Sequence, residues 1–241
     1  MKIKKFFIIL LFISLFAGFN FEGQKSSNKR EGNNAPENVV ALVKKIVKDV
    51  SYRQSSEQSD WEIAKTGDRL NDGGEVKTGS KSLALVLFTD GSGLLRVREN
   101  SILHIYGTKK EKSMDKNTFI QKGLIGFEVN KQAPDEEFKF TTPTVVASIR
   151  GTSGFLEYSD QDSTFTLFLS TGSAGIYSES DCDSVSAGNT IVIKSNGQCI
   201  SRPQSLDDIK TYNATNQTNI KSININTNKG NVEIKYYGPK N

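Results

Sequence analysis

From about Ile46 to Gly197 the chain follows the two-residue alternation of half-buried β-strands. Leu95 and Val97 alternate with Arg96 and Arg98, and Phe138 and Phe140 flank Lys139. Leu103 and Ile105, then Phe165, Leu167 and Leu169, keep the same period. Leu83–Phe88 is apolar at every position, which predicts an interior strand covered on both faces. Between these runs lie Asn71-Asp72-Gly73-Gly74, Thr89-Asp90-Gly91-Ser92-Gly93, Thr171-Gly172-Ser173 and Ser195-Asn196-Gly197, all of turn-forming composition. Many short strands spaced in this way predict an all-β fold: a solenoid, a sandwich or a barrel.

Two stretches are less regular. Val39, Val40, Val43, Ile46, Val47 and Val50 recur at helical spacing, yet their β-branched side chains favour a strand. The expectation is a strand from about Ile46, with at most a short helical lead-in. Beyond Pro203 the composition shifts: Leu206–Ile209 reads as one helical turn and Tyr212–Thr218 as an Asn/Thr-rich loop. Residues 222–226 and 232–236 alternate strictly around Thr227-Asn228-Lys229-Gly230, the signature of a hairpin. Two strands alone are marginal, so this hairpin is expected to dock on the main domain or on a partner. A weak internal echo relates Ile63–Leu70 to Val185–Ile191, each leading an apolar residue into Gly-Asp or Gly-Asn and then a strand.

The N-terminus changes how the charge is read. Residues 1–5 carry three lysines, and residues 6–19 are apolar without a charge. That pattern predicts a secretory signal peptide over 1–23, with an uncleaved inner-membrane anchor as the alternative. Residues 24–38 are polar and read as a flexible linker. Export to the periplasm or cell surface follows. Residues 1–25 hold four lysines against one glutamate, so about +1 of the formal +4 remains for the rest. Nucleic acid is therefore not an expected partner. Cys182 and Cys199, an even pair in an exported chain, predict a disulfide, with two free thiols as the alternative.

The chemistry is mostly negative. His104 is the sole histidine, which rules out His-based triads and His-rich zinc sites. No phosphate-cradling loop or dinucleotide fingerprint is present, and no small-molecule cofactor is expected. Asp160-Gln161-Asp162 and Asp181-Cys182-Asp183 do not continue into a calcium loop and read as solvated turn acids. Glu99, Glu128 and Glu157 sit beside strands; paired glycosidase carboxylates and plain exposed glutamates are the two readings. Trp61, the sole tryptophan, is either a carbohydrate platform or core.

Several short motifs resemble the FecR-domain family. Thr141–Phe155, TTPTVVASIRGTSGF, resembles its "TP…RGT-x-F" signature, which includes Thr142, Pro143, Arg150, Gly151 and Thr152. Gly67-Asp68-Arg69-Leu70 resembles its "GD-x-L" turn, and Val76–Ser82 its "I-x-T-G-x-x-S" step. Asp90-Gly91-Ser92 followed by Asn100-Ser101 resembles its "DGS…NS" pair, and Gly123–Val129 its "G-x-L-x-F-x-V" strand. The resemblance spans roughly residues 43–180, within an all-β domain expected over 39–202 and followed by a tail, 203–241, with the hairpin. It implies a solenoid-like stack of short strands, with a β-sandwich as the alternative.

The resemblance also implies envelope signalling. Proteins with this domain relay a receptor signal across the membrane to a cytoplasmic anti-sigma segment, and about five residues precede the hydrophobic run here. The expectation is a stand-alone, non-enzymatic envelope module that binds another protein, without the anti-sigma part. The alternative is a structural protein that binds cell-wall glycan. The motif residues Gly67, Asp68, Asp90, Gly91, Thr142, Pro143, Arg150, Gly151 and Thr152 are expected to be structural or partner-binding. For Arg150 the two roles are fastening strand ends through carbonyls and anchoring a partner.

Overall fold

The computed structural model describes residues 38–111, 113–133, 135–179, 182–217, 219–228 and 230–238. The expected leader, most of the linker and Asp181 lie outside the described residues. Strands account for nearly all the regular structure, as the alternation predicts.

The chain runs β1 (Val39–Val47), β2 (Val50–Arg53), β3 (Glu62–Ile63), β4 (Arg69–Asn71), β5 (Gly74–Thr78), β6 (Leu83–Phe88), β7 (Gly93–Val97) and β8 (Ile102–Lys109). It continues with β9 (Met114–Val129), β10 (Phe138–Thr141), β11 (Val146–Ser159), β12 (Thr164–Tyr177), β13 (Ser184–Ser186), β14 (Asn189–Ile193) and β15 (Cys199–Pro203). These fifteen strands form one sheet, antiparallel except for the β9–β10 pair.

Three long strands fold this sheet into two layers by changing partner midway. Met114–Ile120 of β9 pairs with β8, while Gly123–Val129 pairs with β7 and β11. Val146–Ile149 of β11 pairs with β10, while Ser153–Tyr158 pairs with β9. Phe165–Phe168 of β12 pairs with β14, and Ser173–Gly175 with β13. At the first two switches Gly123 and Gly151 have φ of 105° and 63°, left-handed values that a glycine adopts without penalty. The result is a front layer, β3-β2-β5-β8-β9-β10-β11-β12-β13, and a back layer, β4-β1-β6-β7-β9-β11-β12-β14-β15.

Phenylalanines fill the space between the layers. Phe88 of the back layer meets Phe138 of the front edge-to-face at 5.0 Å, and Phe127 meets Phe140 at 4.8 Å. Interior β6 is buried at nearly every position, as its unbroken apolar run predicts. The Val39–Val50 stretch has no helical lead-in and is strand from Val39. Its register slips between Val39 and Ala41 and again between Val43 and Lys45, which breaks the two-residue alternation and leaves three- and four-residue spacings.

The tail differs from expectation in one element. Helix α1 spans Leu206–Asn216, so Tyr212–Asn216 is helical rather than loop. Asn and Thr are poor helix formers, but two contacts outweigh them. Ser205 and Asp208 close a capping box at the N-terminus. Tyr212 packs on Phe168 at 5.5 Å, and Thr215 sits over Gly126 so closely that an added Cβ there would meet its Cβ at 2.6 Å. The helix thus roofs the outer face of the back layer. It also explains why Arg96, expected on a wet face, is buried beside Gly126 and paired to Glu128 at 2.8 Å. The hairpin β16 (Asn219–Thr227) and β17 (Gly230–Gly238) forms its own two-stranded sheet in the expected register. Its Ile223, Ile225 and Val232 stay about half exposed.

Candidate functional site

Most of the motif residues build turns. Gly67 has φ of 97°, and the Asp68 carboxylate accepts from the Lys65 N–H at 2.6 Å, closing the turn on itself. That turn is tied to β1 by the Gly67 N–H donating to the Val43 carbonyl at 2.8 Å. Thr142 is buried, and its hydroxyl accepts from the Val145 N–H at 3.1 Å, which leaves Pro143 exposed at the apex. Gly91 has φ of 72°, and its carbonyl accepts from the Asn130 amide at 2.8 Å. Asp90 accepts from the Ser92 N–H at 2.9 Å and from the Lys116 ammonium at 2.5 Å. Thr152 is buried beside Gly151.

Arg150 is different. It lies on β11 opposite Ser173 of β12, at the outer face of the front layer, with an exposed side chain. Among the described residues its side chain has neither a hydrogen bond nor an ion pair, with carbonyls or otherwise. The alternation along β8 to β12 places Val146, Ser148, Thr141, Lys139, Asn117, Phe119, His104 and Tyr106 on the same face. One register row crosses it from Tyr177 through Val146, Thr141, Phe119, His104 and Glu75 to Arg53. Tyr177 is 64% exposed and Tyr106 38%. Burial, then the charges of Glu75 and Asp72, push the Tyr106 phenol up. α1 roofs the back layer, whereas among the described residues no helix or strand packs over this face.

The Arg53 end of the row is closed by charge. Glu75 is wholly buried; its carboxylate meets the Arg53 guanidinium at 2.8 Å and the His104 Nδ1 at 3.3 Å. Trp61 lies over this end with the Arg53 guanidinium 4.7 Å and the Lys77 ammonium 4.5 Å from its ring. It is therefore neither core nor a bare platform, but a lid held by two cations. Trp61 and His104 drew notice in the sequence only singly, and the register joins them.

The structure does not gather the candidate glutamates into a catalytic pair. Glu99 accepts from the Lys81 N–H at 2.5 Å and Glu128 pairs with Arg96, each serving a local contact. Among the described residues no group of His, Cys, Asp and Glu is arranged to hold a metal. Cys182 and Cys199 form the expected disulfide, with Cα atoms 6.0 Å apart. It joins the approach to β13, the front-layer edge, to β15, the back-layer edge. Beside it a cleft of about 220 Å³ opens near Tyr177, with Pro143, Glu179, Ile193 and Lys194 in its walls.

Comparison with known families agrees with the motif reading. Residues 74–174 match the family model described as FecR protein. Residues 74–174 are a FecR domain. The match runs from β5 into β12 and includes Asp90, Gly91 and Thr142 to Thr152, while Gly67 and Asp68 precede it. No curated protein matches the chain. Two crystal structures of a candidate anti-sigma factor from Parabacteroides distasonis ATCC 8503 are similar at 13% and 12% identity, with TM-scores of 0.49 and 0.48. Each alignment covers 56% of this chain and 62% of the solved chain, so this chain spans less than two thirds of those proteins.

Proposed function

We propose that this FecR-domain chain is an exported, non-enzymatic module of the cell envelope that binds another protein through the open outer face of its front layer. The observation that carries the reading is Arg150. Its neighbours in the motif are spent on turns and buried contacts, while its side chain stands exposed on the same face as Val146 and Tyr177, four residues along β11. Arginine and tyrosine on an open surface are the composition of binding hot spots. Export is supported by the basic and apolar pattern of residues 1–19 and by the disulfide, which suits an oxidising compartment. The glycan alternative draws on Trp61 and the polar linker, and the Trp61 ring is engaged by Arg53 and Lys77.

The test is photo-crosslinking in living cells with p-benzoylphenylalanine in place of Tyr177, followed by mass spectrometry. One dominant protein adduct from the envelope fraction, lost in Arg150→Glu, supports the reading. Adducts confined to wall glycan would move the function to the structural alternative. A protein adduct that survives Arg150→Glu would remove Arg150 from the site.

A further inference from the structure

We propose that the partner meets this face as an extended segment lying along β11, with a carboxylate on Arg150 and a large side chain in the cleft beside Tyr177. The inference rests on the reading above, that this face binds a protein.

Charge on the face selects the carboxylate. Three acidic groups of the face already have partners: Glu75 is paired with Arg53, Glu137 with Lys139 at 2.5 Å and Asp115 with Lys110 at 2.9 Å; Glu179 lines the cleft, six residues along from Ser173. Lys77 is engaged by Trp61. Arg150 is left over, and Lys131, whose backbone packs against Gly151, is a second exposed cation among the described residues without an ion pair. An unpaired arginine fork fits a carboxylate through two parallel hydrogen bonds, which a lysine does not reproduce.

Geometry selects an extended segment and its spacing. β11 lies between β10 and β12, so its backbone groups are already used and a partner cannot add a strand there. Recognition must pass through side chains. Arg150 faces Ser173 and Val146 faces Tyr177, four residues apart on β11, about 13 Å at strand rise. The cleft opens one to two residues beyond that pair, at Ser178 and Glu179, so a partner segment in the same conformation reaches it with five or six residues of its own. The cleft just past Tyr177 holds about 220 Å³, with Pro143 and Ile193 as its apolar walls. That is below the roughly 300–1,000 Å³ of small-molecule pockets and suits a single large side chain.

The experiment uses a phage-displayed library of random dodecapeptides selected on the purified, disulfide-intact chain. Enriched peptides should carry Asp or Glu five or six residues from an aromatic or aliphatic residue. Their affinity should fall at least tenfold in Arg150→Ala and should not be restored in Arg150→Lys. Arg150 is exposed, so the melting curve of either variant should match the parent and a loss of binding cannot be blamed on unfolding. If Tyr177→Asp abolishes binding while Arg150→Ala does not, the face binds peptides but the carboxylate assignment is wrong. If neither substitution matters, or no peptide is enriched, the reading of the face itself fails.

Discussion

The Lys116 ammonium, wholly buried at the front-layer end of β9, ends on the Asp90 carboxylate in the back-layer turn between β6 and β7. The pair crosses the gap between the layers. Removing one partner of a buried pair strands the other charge, at a cost of about 3–5 kcal/mol. Asp90 remains partly open to water, so the cost is unequal. Asp90→Ala, which strands the ammonium, should lower the urea midpoint sharply. Lys116→Met, which leaves a carboxylate that water and the Ser92 N–H can reach, should lower it less. Equal losses in the two variants would mean that the pair is not buried in solution.

The same pair predicts an acid limb. Burial alone would raise the Asp90 carboxyl, but the hydrogen bonds from Lys116 and Ser92 outweigh it and hold the group below its usual range. Asp115 is likewise lowered against the penalty of burial, by its contacts with Lys110 and Glu137. A folded value below the unfolded one favours the ionised form in the fold. The stabilisation is therefore complete above about pH 5 and is lost progressively as pH falls through the unfolded value and on through the lower folded values. Urea midpoints should be nearly flat from pH 7 to pH 5 and then drop. Asp90→Asn should flatten that drop.

The two layer-switching glycines should differ in tolerance. A Cβ on Gly123 would lie 2.6 Å from the Ser101 Cα, a backbone atom that cannot swing away, and φ there is 105°. At Gly151 the nearest atom would be the Lys131 Cα at 3.3 Å, a mild approach, so its φ of 63° is the main constraint. Gly151→Ala should fold and lose about 1–2 kcal/mol. Gly123→Ala should yield little folded protein by near-ultraviolet circular dichroism. The reverse order would overturn the assignment of Gly123 as the tighter switch.

The disulfide spans a 17-residue separation and ties the two layer edges together. Its reduction should lower stability by up to about 3 kcal/mol in the chain-entropy model. Amide exchange should rise first in β13 and β15, which share no ladder. Uniform loss of protection across the domain would instead show that the edge does not open independently.

Helix α1 depends on its cap. The Ser205 hydroxyl accepts from the Asp208 N–H at 3.1 Å, and Asp208 in turn accepts from the Ser205 N–H at 2.7 Å. Ser205→Ala should cost about 1 kcal/mol and raise the fluorescence response of Tyr212 to quenchers. No change in either would place the helix under packing control alone.

What was legible in the sequence followed from a local rule. Two-residue alternation gave away the strands, Gly-rich runs the turns, and Thr227–Gly230 the hairpin. The rule also had local failures. Slips in β1 imitated helical spacing, and Tyr212–Asn216 became helical because a cap and a landing site on Gly126 and Phe168 outweighed weak propensity. Lys116 escaped notice although Met114, Thr118 and Ile120 share its phase, which pointed it inward.

Alternation along one strand fixes which side of its own sheet a residue takes, and for this chain that was enough for the all-β class. It says nothing about which strand lies alongside. Only the tertiary structure decided that Lys116 would meet Asp90, that Trp61 would cover Glu75, and that a helix would roof one layer and leave Arg150 open on the other. The physical reason is that these relations join residues tens of positions apart. Their energies appear only when β9, β11 and β12 change partner and fold one sheet over its own core.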